Sequence, residues 1–153
     1  MQTPLKLLRT NSAYPDFISL VHLLDQDLAQ RDGEEHAFYA QYNKVPNLNT
    51  VVVAYQNDTP VACGAIKEWD ESTMEVKRMY VPPSFRNQGI AALVLAELEA
   101  WTKELHYNRC ILETGIKQPE AIRLYQKCGY QIIPNYGQYS GVSNSVCFEK
   151  RLY

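Results

Sequence analysis

Much that would place a chain quickly is missing from this one. Its four cysteines (Cys63, Cys110, Cys128, Cys147) are scattered without a C-x-x-C pair, and its three histidines (His22, His36, His106) do not pair at i, i+4. No metal site is expected from that pattern, and the cysteines read as reduced, mostly buried thiols. No run of 18 apolar residues occurs, and residues 1–12 lack the apolar stretch of a secretory signal. A membrane partner is therefore not expected, and a cytoplasmic location is. Charge of one sign is also missing: 15 Lys and Arg face 17 Asp and Glu, a net charge of −2 with a sequence pI of about 5.9. Without a basic stripe, nucleic acid is not an expected partner. Neither G-x-x-x-x-G-K-(S/T) nor G-x-G-x-x-G is present, which argues against the common mononucleotide and dinucleotide loops. There is no internal repeat and no low-complexity tract.

What is present fits one ordinary domain over residues 1–153, with 46% hydrophobic residues to fill a single core. Residues 5–9 read as a first strand. Phe17, Leu20, Val21, Leu24 and Leu28 then recur at helical spacing behind a first-turn proline, Pro15, and Gly33 stops that helix. Residues 34–42 read as a short second helix and residues 43–49 as loop. A β-branched strand (50–55), a turn at Asn57, Asp58, Thr59 and Pro60, and a strand at 61–67 make a hairpin. Asp70, Glu71 and Ser72 turn the chain into a third strand at 74–81, ended by Pro82 and Pro83, since proline offers no N–H to a ladder. A helix from 90 to about 105 carries Ile90, Val94, Leu98, Trp101 and Leu105 on one face. A strand at 109–114, a helix from Pro119 to Cys128, and strands at 130–133 and 145–152 complete the chain. The order β-α-α-β-β-β-α-β-α-β-β is an α+β pattern. Its hairpins predict a mainly antiparallel sheet, and its crossover from residue 81 to 109 predicts one parallel pair.

The most informative segment joins the third strand to the long helix: Arg86, Asn87, Gln88, Gly89, Ile90, Ala91. A loop entering a helix presents unpaired N–H groups and the positive end of the helix dipole, which suits a phosphate or pyrophosphate. Gly89 lets an anion approach the backbone closely, and Arg86 brings a planar fork of charged donors. Alone the pattern is weak, because most such helix ends bind only water. The strand–loop–helix order strengthens it. So does the segment Ala121, Ile122, Arg123, Leu124, Tyr125, Gln126, Lys127, Cys128, Gly129, Tyr130, a helix closed by a glycine stop.

With these two segments the chain resembles the GNAT superfamily of acyl-CoA-dependent N-acyltransferases. The superfamily's pyrophosphate pattern (Arg/Gln)-x-x-Gly-x-(Gly/Ala) is met by Arg86, Gly89 and Ala91. Its second pattern, Asn-x-x-Ala-x-x-Leu-Tyr-x-x-x-Gly-(Phe/Tyr), is met by Ala121, Leu124, Tyr125, Gly129 and Tyr130, with Gln118 in place of the asparagine. The match is specific over residues 75–130. It implies a GNAT-like sheet whose two parallel central strands splay apart, acetyl-CoA as acyl donor, and transfer of an acetyl group to a primary amine. A small metabolite or amino acid is the expected acceptor. A protein lysine or N-terminus, or a non-catalytic acyl-CoA sensor, are the alternatives, and a homodimer stays open. The resemblance also implies that Met79 and Val81 bond the pantetheine amides and that an N–H near Tyr80 polarises the thioester carbonyl. Asn87, Gln88, Ile90 and Gln118 complete the cofactor contacts, and Tyr125 protonates the leaving thiolate. Glu75 and Glu113 are the candidate bases, each with an ion pair to Lys77, Arg78 or Arg109 as its plainer role. Glu68 and Asp70 are weaker candidates. The acceptor side is expected between the N-terminal helices and the segment around Tyr136 and Tyr139. Tyr39, Tyr42, Tyr136 and Tyr139 line a pocket there or simply pack. Asp25, Asp27, Asp32, Glu34 and Glu35 would attract a cationic amine, or else form a solvated helix face.

Overall fold

A computed structural model describes residues 4–32 and 47–153. Gly33, the expected helix at 34–42 and most of the loop after it, with Glu34, Glu35, Tyr39 and Tyr42, lie outside the described residues. The elements run β1 (Leu5–Thr10), α1 (Pro15–Asp32), β2 (Val51–Gln56), β3 (Thr59–Asp70), β4 (Thr73–Tyr80), α2 (Ile90–Glu104), β5 (Arg109–Gly115), α3 (Pro119–Lys127), β6 (Gln131–Ile133) and β7 (Ser145–Arg151). The strands form one sheet in the order β1-β2-β3-β4-β5-β7-β6. The hairpins pair antiparallel and β4 pairs parallel with β5, as the strand–helix–strand spacing predicts.

Helices cover both faces. On one face Ile90, Val94, Leu95 and Leu98 of α2 and Tyr125 of α3 pack on Val52, Ala62, Ile66, Val76 and Leu112. On the other, Phe17, Leu20, Leu24 and Leu28 of α1 pack on Val51, Val53, Cys63, Ala65 and Tyr80. The β2 run VVVA is buried on both sides, so it is continuous rather than alternating. Ile90, Val94 and Leu98 of the expected α2 stripe are buried and Trp101 packs against the same core, but the stripe is wider than expected and does not reach Leu105. Leu95 and Thr102 are buried, whereas Leu105 is 40% exposed and the Trp101 ring lies under the Arg9 guanidinium at 4.8 Å. The Thr102 hydroxyl satisfies itself on the Leu98 carbonyl at 2.8 Å, which lets a polar residue sit on the buried stripe.

Two features shape the middle of the sheet. The β4–β5 ladder lasts three rungs, Thr73↔Arg109, Met74↔Cys110 and Glu75↔Ile111, and then the strands part. On the other side of β4 the register with β3 slips between Cys63↔Tyr80 and Ala65↔Lys77, so that two residues, Arg78 and Met79, face the single residue Gly64. This is a β-bulge, and Arg78 carries its strain at φ +59°. Gly64 makes the close packing possible: a Cβ there would stand 2.5 Å from Met79 Sδ and 2.9 Å from Leu98 Cδ1.

Candidate active site

The parting of β4 and β5 opens a cleft through the sheet that is continuous with solvent. It is lined by Glu75, Lys77, Arg78 and Met79 of β4, Glu113 of β5, Gln118 before α3, Tyr125 on α3, Tyr139, and Leu24 and Leu28 of α1. Most of the side chains expected to carry chemistry therefore meet in one place, although they come from distant parts of the chain.

The anion end lies beyond β4. Pro83–Phe85 form a short 3-10 turn, Asn87 sits at φ +64°, and Gly89 is the N-cap of α2 at φ +77°. No side chain caps that helix end. Its first N–H groups have no partner within the helix, and the space before Gly89 is open, with nothing within 4 Å of where a Cβ would be. Those features fit a pyrophosphate. Ile90 is buried in the core, so it offers only its backbone. Arg86 is partly committed: its Nε donates to the Val81 carbonyl at 2.7 Å, its guanidinium lies 5.8 Å above the Tyr80 ring, and Nη2 is 3.8 Å from Asp27. It ties the loop back to the strand end. Because β4 stops at Tyr80, Val81 is outside the ladder, and its carbonyl keeps a second lone pair for a ligand. The Tyr80 ring belongs to the α1 core, so this residue too can serve the cleft only through its backbone.

Tyr125 is 6% exposed and lines the cleft. Its ring is clamped edge-on by Tyr130 at 5.8 Å and tilted against Phe148 at 5.9 Å. The glycine stop explains the clamp. Gly129 takes φ +93°, and the N–H groups of Tyr130 and Gly129 bond the carbonyls of Tyr125 and Gln126 at 2.9 and 3.2 Å. This left-handed cap folds Tyr130 back beneath Tyr125. Burial, reinforced by the Glu113 charge, pushes the Tyr125 phenol well above its ordinary range. It stays a neutral hydrogen-bond donor and gives up its proton reluctantly.

Glu75 is 5% exposed at the last paired rung, just where the strands part. Its Oε2 accepts from the Tyr136 hydroxyl at 2.6 Å, and its Oε1 lies 3.7 Å from Lys77 Nζ. Glu113 stands two residues past the rung Ile111, on the diverging part of β5. Its charge is felt by Tyr125, Tyr139 and Lys77. Burial holds the Lys77 ammonium below the ordinary lysine range, while Glu75 and Glu113 oppose that shift. Tyr136 and Tyr139, in edge contact at 5.9 Å, cover this corner, and Trp69 abuts Tyr136 at 4.9 Å.

One expectation is corrected. Glu68 and Asp70 are not among the residues lining the cleft: Glu68 accepts from Tyr107, and Asp70 holds the β3–β4 turn through the Ser72 N–H at 2.9 Å. Of the three ion-pair partners expected for the candidate bases, Lys77 meets Glu75 at 3.7 Å, and Arg109 pairs with Glu149 at 3.3 Å. Of the acidic residues expected to draw in a cationic amine, Asp25 bonds Arg78 at 2.7 Å and Asp27 bonds Arg31 at 3.1 Å, while the side chain of Asp32, with Glu34 and Glu35, lies outside the described residues. Sequence reasoning treated Lys77 and Arg78 only as counter-ions and missed that both line the cleft. For Lys77 the signal was there, two positions from Glu75 on one strand. For Arg78 only Gly64, a glycine inside a strand pattern, hinted at a bulge.

A model of the acetyltransferase (GNAT) family matches residues 17–130. The chain belongs to that family. It is an acetyltransferase, and the donor of GNAT chemistry is acetyl-CoA. The N-acetyltransferase YsnE of Bacillus subtilis is 31% identical over 139 residues, covering 88% of this chain and 91% of its own. The IAA acetyltransferase of Azospirillum brasilense is 30% identical over 143 residues, covering 88% and 90%. The crystal structure described as an acyl-CoA N-acyltransferase of Klebsiella pneumoniae superposes with a TM-score of 0.77 at 30% identity, over 98% of this chain and 97% of that one. Among the described residues no group of three or more metal-ligating side chains occurs, and no helix is long and apolar enough to cross a membrane.

Proposed function

We propose that this GNAT protein moves the acetyl group of acetyl-CoA to the primary amine of a small metabolite or amino acid. The observation that carries the reading is the two-sided cleft at the β4–β5 fork. The anion-ready start of α2 and Tyr125 serve the donor. Glu75 and Glu113, with Tyr136 and Tyr139 above them, serve the amine.

The residues divide the work as follows. N–H groups from Gln88 to Ala91 hold the pyrophosphate, and the parted edge from Met79 to Val81 holds the pantetheine amides as a neighbouring strand would. Gln118, at the mouth of the cleft, adds a side-chain amide. A backbone N–H of the bulged stretch near Tyr80 polarises the thioester carbonyl. Glu75 or Glu113, directly or through water, takes a proton from the incoming ammonium, because only the neutral amine attacks. As the C–N bond forms and the C–S bond breaks, the Tyr125 hydroxyl donates to the departing sulfur. Its buried, anion-averse setting makes it a hydrogen-bond donor first and a full proton donor second.

The test is thiol release from acetyl-CoA with a panel of small primary amines beside lysine-containing and free-N-terminal peptides. Turnover with small amines is expected. Turnover with peptides alone would move the acceptor to proteins, and acetyl-CoA binding without turnover of any amine would leave a sensor.

A further inference from the structure

The mouth of the fork is spanned by a chain of ion pairs that the acetyl transfer itself does not use. Helix α1 packs on one face of the sheet and α3 on the other, so their side chains can touch only where the strands part or end. They do touch: Arg31 Nη1, in the last turn of α1, pairs with Glu120, in the first turn of α3. Asp27, four residues earlier on α1, fixes Arg31 Nε at 3.1 Å. Asp27 in turn lies 3.8 Å from Arg86 Nη2, and Arg86 Nε donates to the Val81 carbonyl at 2.7 Å. The chain of charges therefore starts at the end of β4, crosses on α1 and finishes on the helix that follows β5. Neighbouring residues place it beside the cleft. Leu24 and Leu28, three residues before Asp27 and Arg31, line the cleft, as do Gln118 and Ala121 on either side of Glu120. The charges of Arg31 and Arg86 both reach Glu120, and those of Arg86, Asp27 and Arg31 reach Tyr80 at the end of β4. Two guanidinium groups answer two carboxylates, so the chain is balanced in itself and asks for no ligand.

We propose that the Arg31–Glu120 pair is a clasp on the donor side: it closes the mouth of the fork over the pantetheine arm of acetyl-CoA and slows the cofactor's escape. This rests on the reading that the pyrophosphate binds at the start of α2 and the arm runs along residues 79–81 toward Tyr125. An arm on that path lies inside the ring that the ion pairs complete, and it leaves sideways only when Arg31 lets go of Glu120. The side chains of the pair are 23% and 41% exposed, so the pair is weak enough to open at each exchange of cofactor. Arg31, Asp27 and Glu120 are positioning residues in this scheme and touch no reacting atom.

The release rate of radiolabelled acetyl-CoA, chased with excess unlabelled acetyl-CoA at low ionic strength, tests it. Glu120→Gln and Arg31→Gln should each release the cofactor about two- to fivefold faster than the native protein, the worth of one partly exposed ion pair. The difference between native protein and variants should shrink at about 1 M salt, which screens such a pair. Glu104→Gln breaks an ion pair with Arg9 between α2 and β1, and should release at the native rate. Glu120→Gln with a lowered melting temperature but a native release rate would make the pair a strut of the fold and overturn the clasp. Equal acceleration in the Glu104→Gln control would overturn it too, as would acceleration in Arg31→Gln alone, because the crossing needs Glu120. A Gly89→Glu variant that still binds acetyl-CoA would place the pyrophosphate elsewhere and overturn the donor reading beneath the clasp, whatever the release rates.

Discussion

At the scale of the residue, Tyr125 shows how environment assigns a role. Buried against Tyr130 and Phe148 and facing the Glu113 charge, its hydroxyl resists ionisation. General acid catalysis is typically worth about 10²–10⁴-fold, and a donor this reluctant belongs at the lower end. Tyr125→Phe keeps the ring and its packing. The expected result is a fall in kcat of about a hundredfold or less with little change in KM for acetyl-CoA, the signature of an interaction made mainly in the transition state. Native kcat in a chemistry-limited assay would show a packing tyrosine. The two carboxylates are separable in the same way. Glu75 is held through both oxygens, by Tyr136 and by Lys77, whereas Glu113 lies beyond the last β4–β5 rung. Glu75→Gln and Glu113→Gln should each leave the acetyl-CoA thermal shift intact. The variant of the true base should lose kcat/KM at neutral pH and recover part of it at high pH, where the amine deprotonates unaided. Full activity of both variants across the pH range would assign deprotonation to solvent.

At the scale of the element, the start of α2 and the bulge in β4 are the two parts that depend on one glycine each. Gly89 is at φ +77° with open space where a side chain would go. Acetyl-CoA at a hundredfold excess over Kd should stabilise the fold by about 2.7 kcal/mol, read as a rise in Tm. Gly89→Glu should abolish that rise by placing a carboxylate where the pyrophosphate binds. A native protein unmoved by millimolar acetyl-CoA would refute the donor site. Gly64 faces the bulge across β3, and a methyl group there would meet both Met79 Sδ and Leu98 Cδ1. Overpacking of this kind costs about 1–3 kcal/mol. Gly64→Ala should therefore lower the denaturant midpoint. It should also weaken acetyl-CoA binding, because relief of the clash pushes Met79 toward the cleft. A variant of native stability and affinity would show that the bulge does not need the close approach.

At the scale of the whole molecule, the core makes itself felt through pH. Burial pushes the Cys63 thiol up to about 12, and those of Cys110 and Cys147 up to about 11, from an ordinary value of 9.0. A group whose folded pKa lies above its unfolded one holds more protons folded than unfolded between the two values, so stability falls as pH rises. The contribution is whole below about pH 9 and is lost on the way to 11 or 12. Denaturant midpoints should decline from about pH 9 upward, before the buried tyrosines add to the effect above pH 10. Cys63→Ala should flatten that decline. An equal slope in the variant would mean that Cys63 does not sense the folded interior.

The sequence by itself determined the order of elements, the loop into α2, the glycine stop behind Tyr125 and the family they imply. Each of these is local: a proline that lacks an N–H, a glycine that admits positive φ, an apolar period that separates helix from strand. The paired fates of Glu75 and Lys77 were half legible, because residues two apart on a strand share a face. Only the tertiary structure decided that β7 lies between β5 and β6, that Leu95 is buried while Leu105 is exposed, and that Asp25 and Asp27 of α1 answer arginines. It alone showed that Arg78 shares the cleft with Lys77. The physical reason is the same in each case. Strand neighbours, helix rotation and ion-pair choice are set by surfaces that meet only once the chain has closed. A one-residue bulge reverses a side chain's direction without leaving more than a glycine as its trace in the sequence.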